Sequence, residues 1–370
     1  MRLGICFGGY SPLHQGHMDI IMRAKKECDA ILVIVCGFDG DPRGDVISLE
    51  KRFNIIRNFL TDDTVKVGMI NDSDLGLDES MCPENWQVWL QEVYNIKDKL
   101  IKSPANDMSW HDTFIFYVGE KRYVEDIKNV VNKTMFSFGE VDIVYVDRSE
   151  NPVSGTDCRT LPIKNWNKIT QPFRSYYSHN ILVAGTASEG KTTLVHDIGK
   201  YFNIPYSYEK GRDLCHLKTD TEFNFKDFMY NLTAQNDYNE SLIASPQNPG
   251  VFISDTDNMV TLMYAYAYRN RPGFSIDQAD YDALFAVAER YRKNIKWDKI
   301  FLLKPSKQGI TDDGERYMPD SDYEIRKVFY ENLKKFYDDF GYVYEELDGR
   351  DYYKNFITVR NYIRGIGFDN

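Results

Sequence analysis

Two short segments of this 370-residue chain carry the residue types that handle phosphate. In the first, Gly8-Gly9-Tyr10-Ser11-Pro12-Leu13-His14-Gln15-Gly16-His17, two imidazoles stand three residues apart behind two glycines and a proline. If a helix starts there, His14 and His17 share one face, and the free N–H groups of the helix end add partial positive charge. That equipment suits adenylyl transfer from ATP, which requires two anions to be positioned and the charge on the α-phosphate and departing pyrophosphate to be stabilised, with no protein nucleophile. Two histidines alone would read as loop and packing residues; the surrounding glycines and proline favour a site.

The second segment, Gly185-Thr186-Ala187-Ser188-Glu189-Gly190-Lys191-Thr192, fits G-x-x-x-x-G-K-[ST] without departure. Backbone N–H groups of such a loop wrap phosphate oxygens, Lys191 supplies charge to the β- and γ-phosphates, and Thr192 offers a hydroxyl to Mg²⁺. Gly185, Ser188, Glu189, Gly190, Lys191, Thr192 and Thr193 are therefore candidate ATP contacts of a kinase.

Val153-Ser154-Gly155-Thr156-Asp157-Cys158-Arg159 could open a helix with hydroxyls, N–H groups and a guanidinium converging on phosphate, although a plain capped helix explains the segment equally well in isolation. The HxGH loop followed by SGTxxR resembles the nucleotidylyltransferase superfamily. That resemblance implies ATP-phosphate contacts at His14, His17, Ser154, Thr156 and Arg159, with Gly8, Gly9, Tyr10 and Gly155 framing them. Cys158 stands where an aliphatic residue is usual.

Further candidates lie downstream. The run 251–254 is apolar and ends at Asp255, where a carboxylate can reach Mg²⁺ or an acceptor hydroxyl, with Asp257 two residues on as a second candidate acid and substrate contact. In Tyr208-Glu209-Lys210-Gly211-Arg212-Asp213, Glu209 is the preferred catalytic base, with Tyr208 and Arg212 as substrate or phosphate contacts; a solvated charged helix start is the alternative. Residues 309–320, with Arg316, read either as a lid over the transferring phosphate or as a mixed-charge surface loop.

These side chains need strand ends and helix starts to position them. Residues 3–7 and 30–36 are apolar without alternation, as in strands buried on both faces of a parallel sheet, with helical spacing over 16–26 between them. Further strands are expected at 65–70, 113–118 and 141–146, and helices at 49–60, 86–96 and 124–132. After residue 180 the alternation resumes, with strands at 180–184, 251–254 and 299–303 and helices at 191–200, 225–240, 256–268, 278–292 and 323–338. The fold class is thus α/β, in two tandem domains: a Rossmann-like nucleotidylyltransferase domain over 1–165 and a P-loop kinase domain over 179–370, each with a mainly parallel sheet. Residues 166–178, with Pro172 and no periodic run, are expected as a linker.

A net charge of -11 disfavours nonspecific binding to nucleic acid or anionic lipid, so any phosphate site must be local. The six cysteines form no C-x-x-C pair, which suits reduced thiols and suggests no structural metal. No apolar run is long enough to span a bilayer and no secretory leader precedes the first strand, so a cytoplasmic protein without a membrane partner is expected.

The ordered series HxGH, Asn85-Trp86-Gln87-Val88-Trp89, SGTxxR, the P-loop, Tyr208-Glu209-x-Gly211-Arg212, Asp255-Thr256-Asp257 and Asp312-Asp313-Gly314-x-Arg316 resembles the bifunctional NMN adenylyltransferase/ribosylnicotinamide kinase family, often called NadR, over nearly the whole chain. The resemblance implies two ATP-dependent steps: nicotinamide riboside to nicotinamide mononucleotide (NMN), then NMN to NAD. Trp86 or Trp89 could stack on a pyridinium ring, although their spacing leaves at least one for the core. Arg52 occupies a family-like position for a substrate-phosphate contact. Two features depart from the family. Strand one begins too early for the DNA-binding segment some members carry, so no DNA partner is expected, and Gly9 stands where relatives often have Lys. A phosphopantetheine/dephospho-coenzyme A fusion and a nucleotide-sensing regulator are the rival readings, and a homo-oligomer is left open.

Overall fold

The computed structural model describes residues 1–77, 83–101, 113–133, 140–147, 152–215, 217, 220–308, 322–349 and 351–369. They form two compact units, Met1–Tyr177 and Ser178–Asn370.

In the first unit, β1 (Arg2–Gly8), α1 (Gln15–Glu27), β2 (Ala30–Gly37), α2 (Leu49–Phe59), β3 (Val65–Asn71), α3 (Pro83–Leu100), β4 (Thr113–Val118), α4 (Lys121–Lys133) and β5 (Glu140–Tyr145) alternate, followed by the short helices α5 (Gly155–Thr160) and α6 (Gln171–Arg174). The sheet order is β3-β2-β1-β4-β5, and every pairing is parallel. Unbroken apolar strands follow from burial on both faces. Ile31, Val33 and Val35 of β2 pack on one side with Ile21 and Ile56, while Leu32 and Ile34 pack on the other with Trp86, Trp89 and Ile127.

Residues 166–177, expected as a connector, belong instead to this unit. Trp166, Ile169, Phe173 and Tyr177 are buried in its core, and Thr170 bonds Leu13 O through both its backbone N–H (3.1 Å) and its Oγ1 (2.9 Å). Single aromatic anchors on short turns have no period to read in sequence.

The second unit runs β6 (His179–Gly185), α7 (Lys191–Phe202), β7 (Tyr206–Ser207), α8 (Gly211–Cys215), α9 (Phe225–Ile243), β8 (Val251–Ser254), α10 (Asn258–Tyr268), α11 (Gln278–Tyr291), β9 (Lys299–Leu303), α12 (Tyr323–Asp339), β10 (Tyr344–Leu347) and α13 (Tyr352–Gly365). Its sheet order is β10-β9-β6-β8-β7, again parallel. Helix α10 starts two residues later than its apolar pattern suggests because Asp257 caps it, accepting from Met259 N at 3.0 Å and Val260 N at 3.1 Å. Both sheets place β1 and β6 at their centres, so the loops after these strands open at the carboxyl edge where parallel sheets bind ligands. No helix among the described residues is long and apolar enough to cross a membrane.

Candidate active sites

The first site sits over the carboxyl end of β1, in a cavity of about 530 Å³. Tyr10, in the loop after β1, holds a positive φ of 44°, a conformation seldom adopted outside glycine and asparagine. His14 is fully buried and its ring stacks on His17 at 3.7 Å between centroids, while His17 meets the Tyr10 ring edge-on at 4.8 Å. The two imidazoles thus stand together at the start of α1.

The distant SGTxxR segment closes on the same loop. Ser154 caps α5, accepting from Asp157 N at 3.0 Å. Arg159 folds back over the first turn of that helix: Nη1 donates to Ser11 O and Nη2 to Thr156 Oγ1 at 3.1 Å. Gly155 makes the closure possible, because a Cβ there would stand 3.1 Å from Arg159 Nη1 and 3.3 Å from Ser11 O. Gly8, Gly9, Tyr10, His14, His17, Ser154, Gly155, Thr156 and Arg159 all line the cavity.

The opposite wall comes from residues no motif marks: Cys36 and Phe38 at the end of β2, Arg43, and Asp72 after β3. Arg43 reaches so close that a Cβ on Gly9 would lie 2.1 Å from its Nη1. Its Nε is held by both Asp41 oxygens at 2.8 Å. Burial would raise the Asp41 carboxyl, but hydrogen bonds from Arg43 and the charges of Arg43 and Arg52 outweigh it and leave Asp41 below the usual range.

The second site is built on β6 and α7. Gly185, Ser188 and Gly190 hold φ values of 145°, 63° and 84°, turning successive N–H groups into a phosphate-sized concavity. Gly185 is needed for a second reason: a Cβ there would lie 2.7 Å from Leu303 O. Lys191 Nζ donates to Thr186 O at 2.8 Å, and Thr192 Oγ1 donates to Asp255 Oδ2 at 2.6 Å. Asp255 is buried at the end of β8 and its Oδ1 has no hydrogen-bond partner. Burial, then the nearby Glu209 charge, push its carboxyl up to about 6. Arg212 contacts Thr192 Oγ1 at 3.4 Å and pairs with Glu209 at 3.8 Å.

A pocket of about 110 Å³ opens beside this loop, lined on the phosphate side by Ser188, Lys191, Glu209 and Arg212. Its far side is aromatic and amide: Phe223, Phe228, Tyr264 and Tyr268 with Asn231 and Gln235. These residues lie outside every motif. A signal for two of them was present, since Asn231, Gln235 and Asn239 recur every fourth residue on α9 and are buried, an inward polar stripe that an ordinary helix would not pay for.

Known proteins resemble the chain in two parts and as a whole. Residues 5–161 match the cytidylyltransferase-like family and residues 180–353 the AAA domain. The trifunctional NAD biosynthesis/regulator protein NadR of Escherichia coli (strain K12) is 22% identical over 98% of this chain and 82% of its own length. The crystal structure of a NadR protein in complex with NR is 27% identical, with a TM-score of 0.82, over 100% of this chain and 97% of that one. A NadR protein in complex with NAD and AMP-PNP aligns with a TM-score of 0.80 at 27% identity, over 98% and 96%. The chain is a NadR-like protein.

Several residues that sequence alone suggests for the sites of this NadR-like chain are placed elsewhere. Trp86 and Trp89 are fully buried, packing edge-on against Phe7 at 5.6 and 5.0 Å, so Phe7 and Tyr123, rather than the indoles, reach the cavity wall. Arg52 is also fully buried: it donates to Gly9 O, to Ile47 O at 3.1 Å and to Cys36 O at 3.3 Å, and pairs with Asp41 at 3.3 Å. It anchors the glycine loop from behind. Glu189 turns its carboxylate away from the pocket to pair with buried Arg326 and to accept from Ser306 N at 3.1 Å. Asp257 is consumed by its cap and by Tyr337 Oη at 3.1 Å. Tyr208 packs under Lys210, 4.5 Å from its ring centroid, and Thr193 is exposed on α7. Arg316 lies outside the described residues.

Proposed function

We propose that the second unit phosphorylates nicotinamide riboside and that the first joins the resulting NMN to the AMP moiety of ATP, giving NAD and pyrophosphate. The observation that carries this reading is the pairing, in one chain, of a HxGH/SGTxxR cleft with a P-loop pocket, in a NadR-like arrangement over nearly the full length of proteins seen with NR, NAD and AMP-PNP.

In the kinase step the 5′-hydroxyl oxygen of the riboside forms a bond to the γ-phosphorus, the bond to the β,γ-bridging oxygen breaks, and ADP leaves. Glu209, at the phosphate end of the pocket, takes the hydroxyl proton. Lys191 and Arg212 offset charge on the transferring group. The aromatic and amide wall suits a flat cationic ring bearing a carboxamide. Thr192 and the unpartnered Oδ1 of Asp255 fit Mg²⁺, which when bound would supply positive charge to offset that of the ATP phosphates.

In the adenylyl step a phosphate oxygen of NMN bonds to the α-phosphorus and pyrophosphate departs. His14, His17 and Arg159 stabilise the charge on the α-phosphate and the leaving group. The four described free thiols, Cys6, Cys28, Cys36 and Cys158, suit a reducing compartment, and we place both reactions in the cytoplasm. Purified protein given Mg²⁺, ATP and nicotinamide riboside should form NMN and then NAD, followed by chromatography with mass detection. Formation of neither product would refute the reading.

A further inference from the structure

Asp72 is a buried acid that neither motif uses. It directly follows β3, is 5% exposed, lines the HxGH cavity, and its Oδ1 has no hydrogen-bond partner. The local turn does not need its carboxylate: the backbone carbonyl of Asp72 accepts from Leu77 N at 3.0 Å, and Asn71 supplies the side-chain cap. A carboxylate oxygen removed from water without a donor costs free energy that a ligand donor can recover. Burial also raises the Asp72 carboxyl to about 6, only partly offset by Arg43, in keeping with an acid left waiting inside a cleft.

Its place in the sheet selects the ligand group. From the HxGH loop over β1, the cavity wall passes Phe38 at the end of β2 to Asp72 at the end of β3. Two strand spacings separate β1 from β3, roughly 10 Å, which matches the reach of a mononucleotide from its reacting phosphate to the far edge of its base. Ribose hydroxyls would fall one strand nearer to the histidines. At the far edge of a pyridine nucleotide stands either a carboxamide, which donates N–H, or a carboxylate, which does not.

Resting on the adenylyltransferase reading above, we infer that Asp72 is a specificity residue: it accepts a hydrogen bond from the neutral carboxamide of the acceptor mononucleotide and repels the carboxylate of the nicotinic acid analogue. A site polar group that pairs with one substrate and opposes the charge of its analogue discriminates far more strongly than apolar shape can.

The test is kcat/KM for NAD formation from NMN and for the corresponding step with nicotinic acid mononucleotide, in the wild-type chain and in Asp72→Asn, whose amide can donate to a carboxylate. The wild type should favour NMN by at least about 100-fold, and the variant should shrink that ratio by about tenfold or more, mainly through KM. Calorimetric binding of both mononucleotides to the wild type gives a second readout independent of how the variant folds, and NMN should bind more tightly. Equal use of the two by the wild type, or an unchanged ratio in a folded Asp72→Asn protein, would overturn the inference while leaving the adenylyltransferase reading intact. A wild type that makes no dinucleotide from either would overturn that reading as well.

Discussion

The hydroxyl of Thr192 lies 2.6 Å from a carboxylate oxygen of Asp255, tying the first turn of the P-loop helix to the end of β8. Burial and the Glu209 charge raise this carboxyl to about 6, and only its ionised form can hold a cation. Protons therefore compete as pH falls through that value, and activity is retained above it. For the kinase step, kcat/KM should drop about tenfold per pH unit below 6. A profile flat down to pH 4.5 would separate Asp255 from the reaction.

Gly9 and Arg43 make a second test. A methyl group at Gly9 would collide with the tip of Arg43, which can swing aside but then leaves the cavity wall. Gly9→Ala should raise KM for NMN in the adenylyl step by about tenfold, or ~1.4 kcal/mol, with little change in Tm. A KM unaltered in kinetic assays would remove Arg43 from the acceptor's surroundings.

Arg52 and Trp86 should behave as framework. Arg52→Ala leaves Asp41 short of a buried partner and Gly9 O without its donor, so a loss on the order of 3 kcal/mol is expected. Trp86→Ala opens a cavity in the α3 face of the core, with a loss of about 3–5 kcal/mol. Denaturant unfolding of the first unit's signal should show both losses. Normal stability together with a raised KM would restore either residue to the substrate.

The contrast between these residues and the histidines shows what could be read from sequence. His14, His17, Lys191 and Thr192 lie in contiguous stretches whose glycines and flanking strand pattern encode the loop as well as the chemistry, so both sheets and both phosphate loops were legible. Arg43 and Asp72 owe their place to the β3-β2-β1 order, which brings strand ends from separate parts of the chain to one wall; no local spacing announces that. Arg52 and Trp86 carry functional residue types, but burial gave them to the core. The stripe Asn231, Gln235, Asn239 was readable and points inward: Asn231 and Gln235 line the kinase pocket, and Asn239 bonds Gln235 at 3.0 Å.

The central claim is that two sites with separate chemistry act in sequence, and paired variants test it most directly. Lys191→Ala should lower formation of NMN from nicotinamide riboside by at least about 100-fold while conversion of supplied NMN to NAD persists. His17→Ala should do the reverse, accumulating NMN. If either substitution, in a folded protein, abolished both steps, or if His17→Ala made NAD at the wild-type rate, the account would be contradicted.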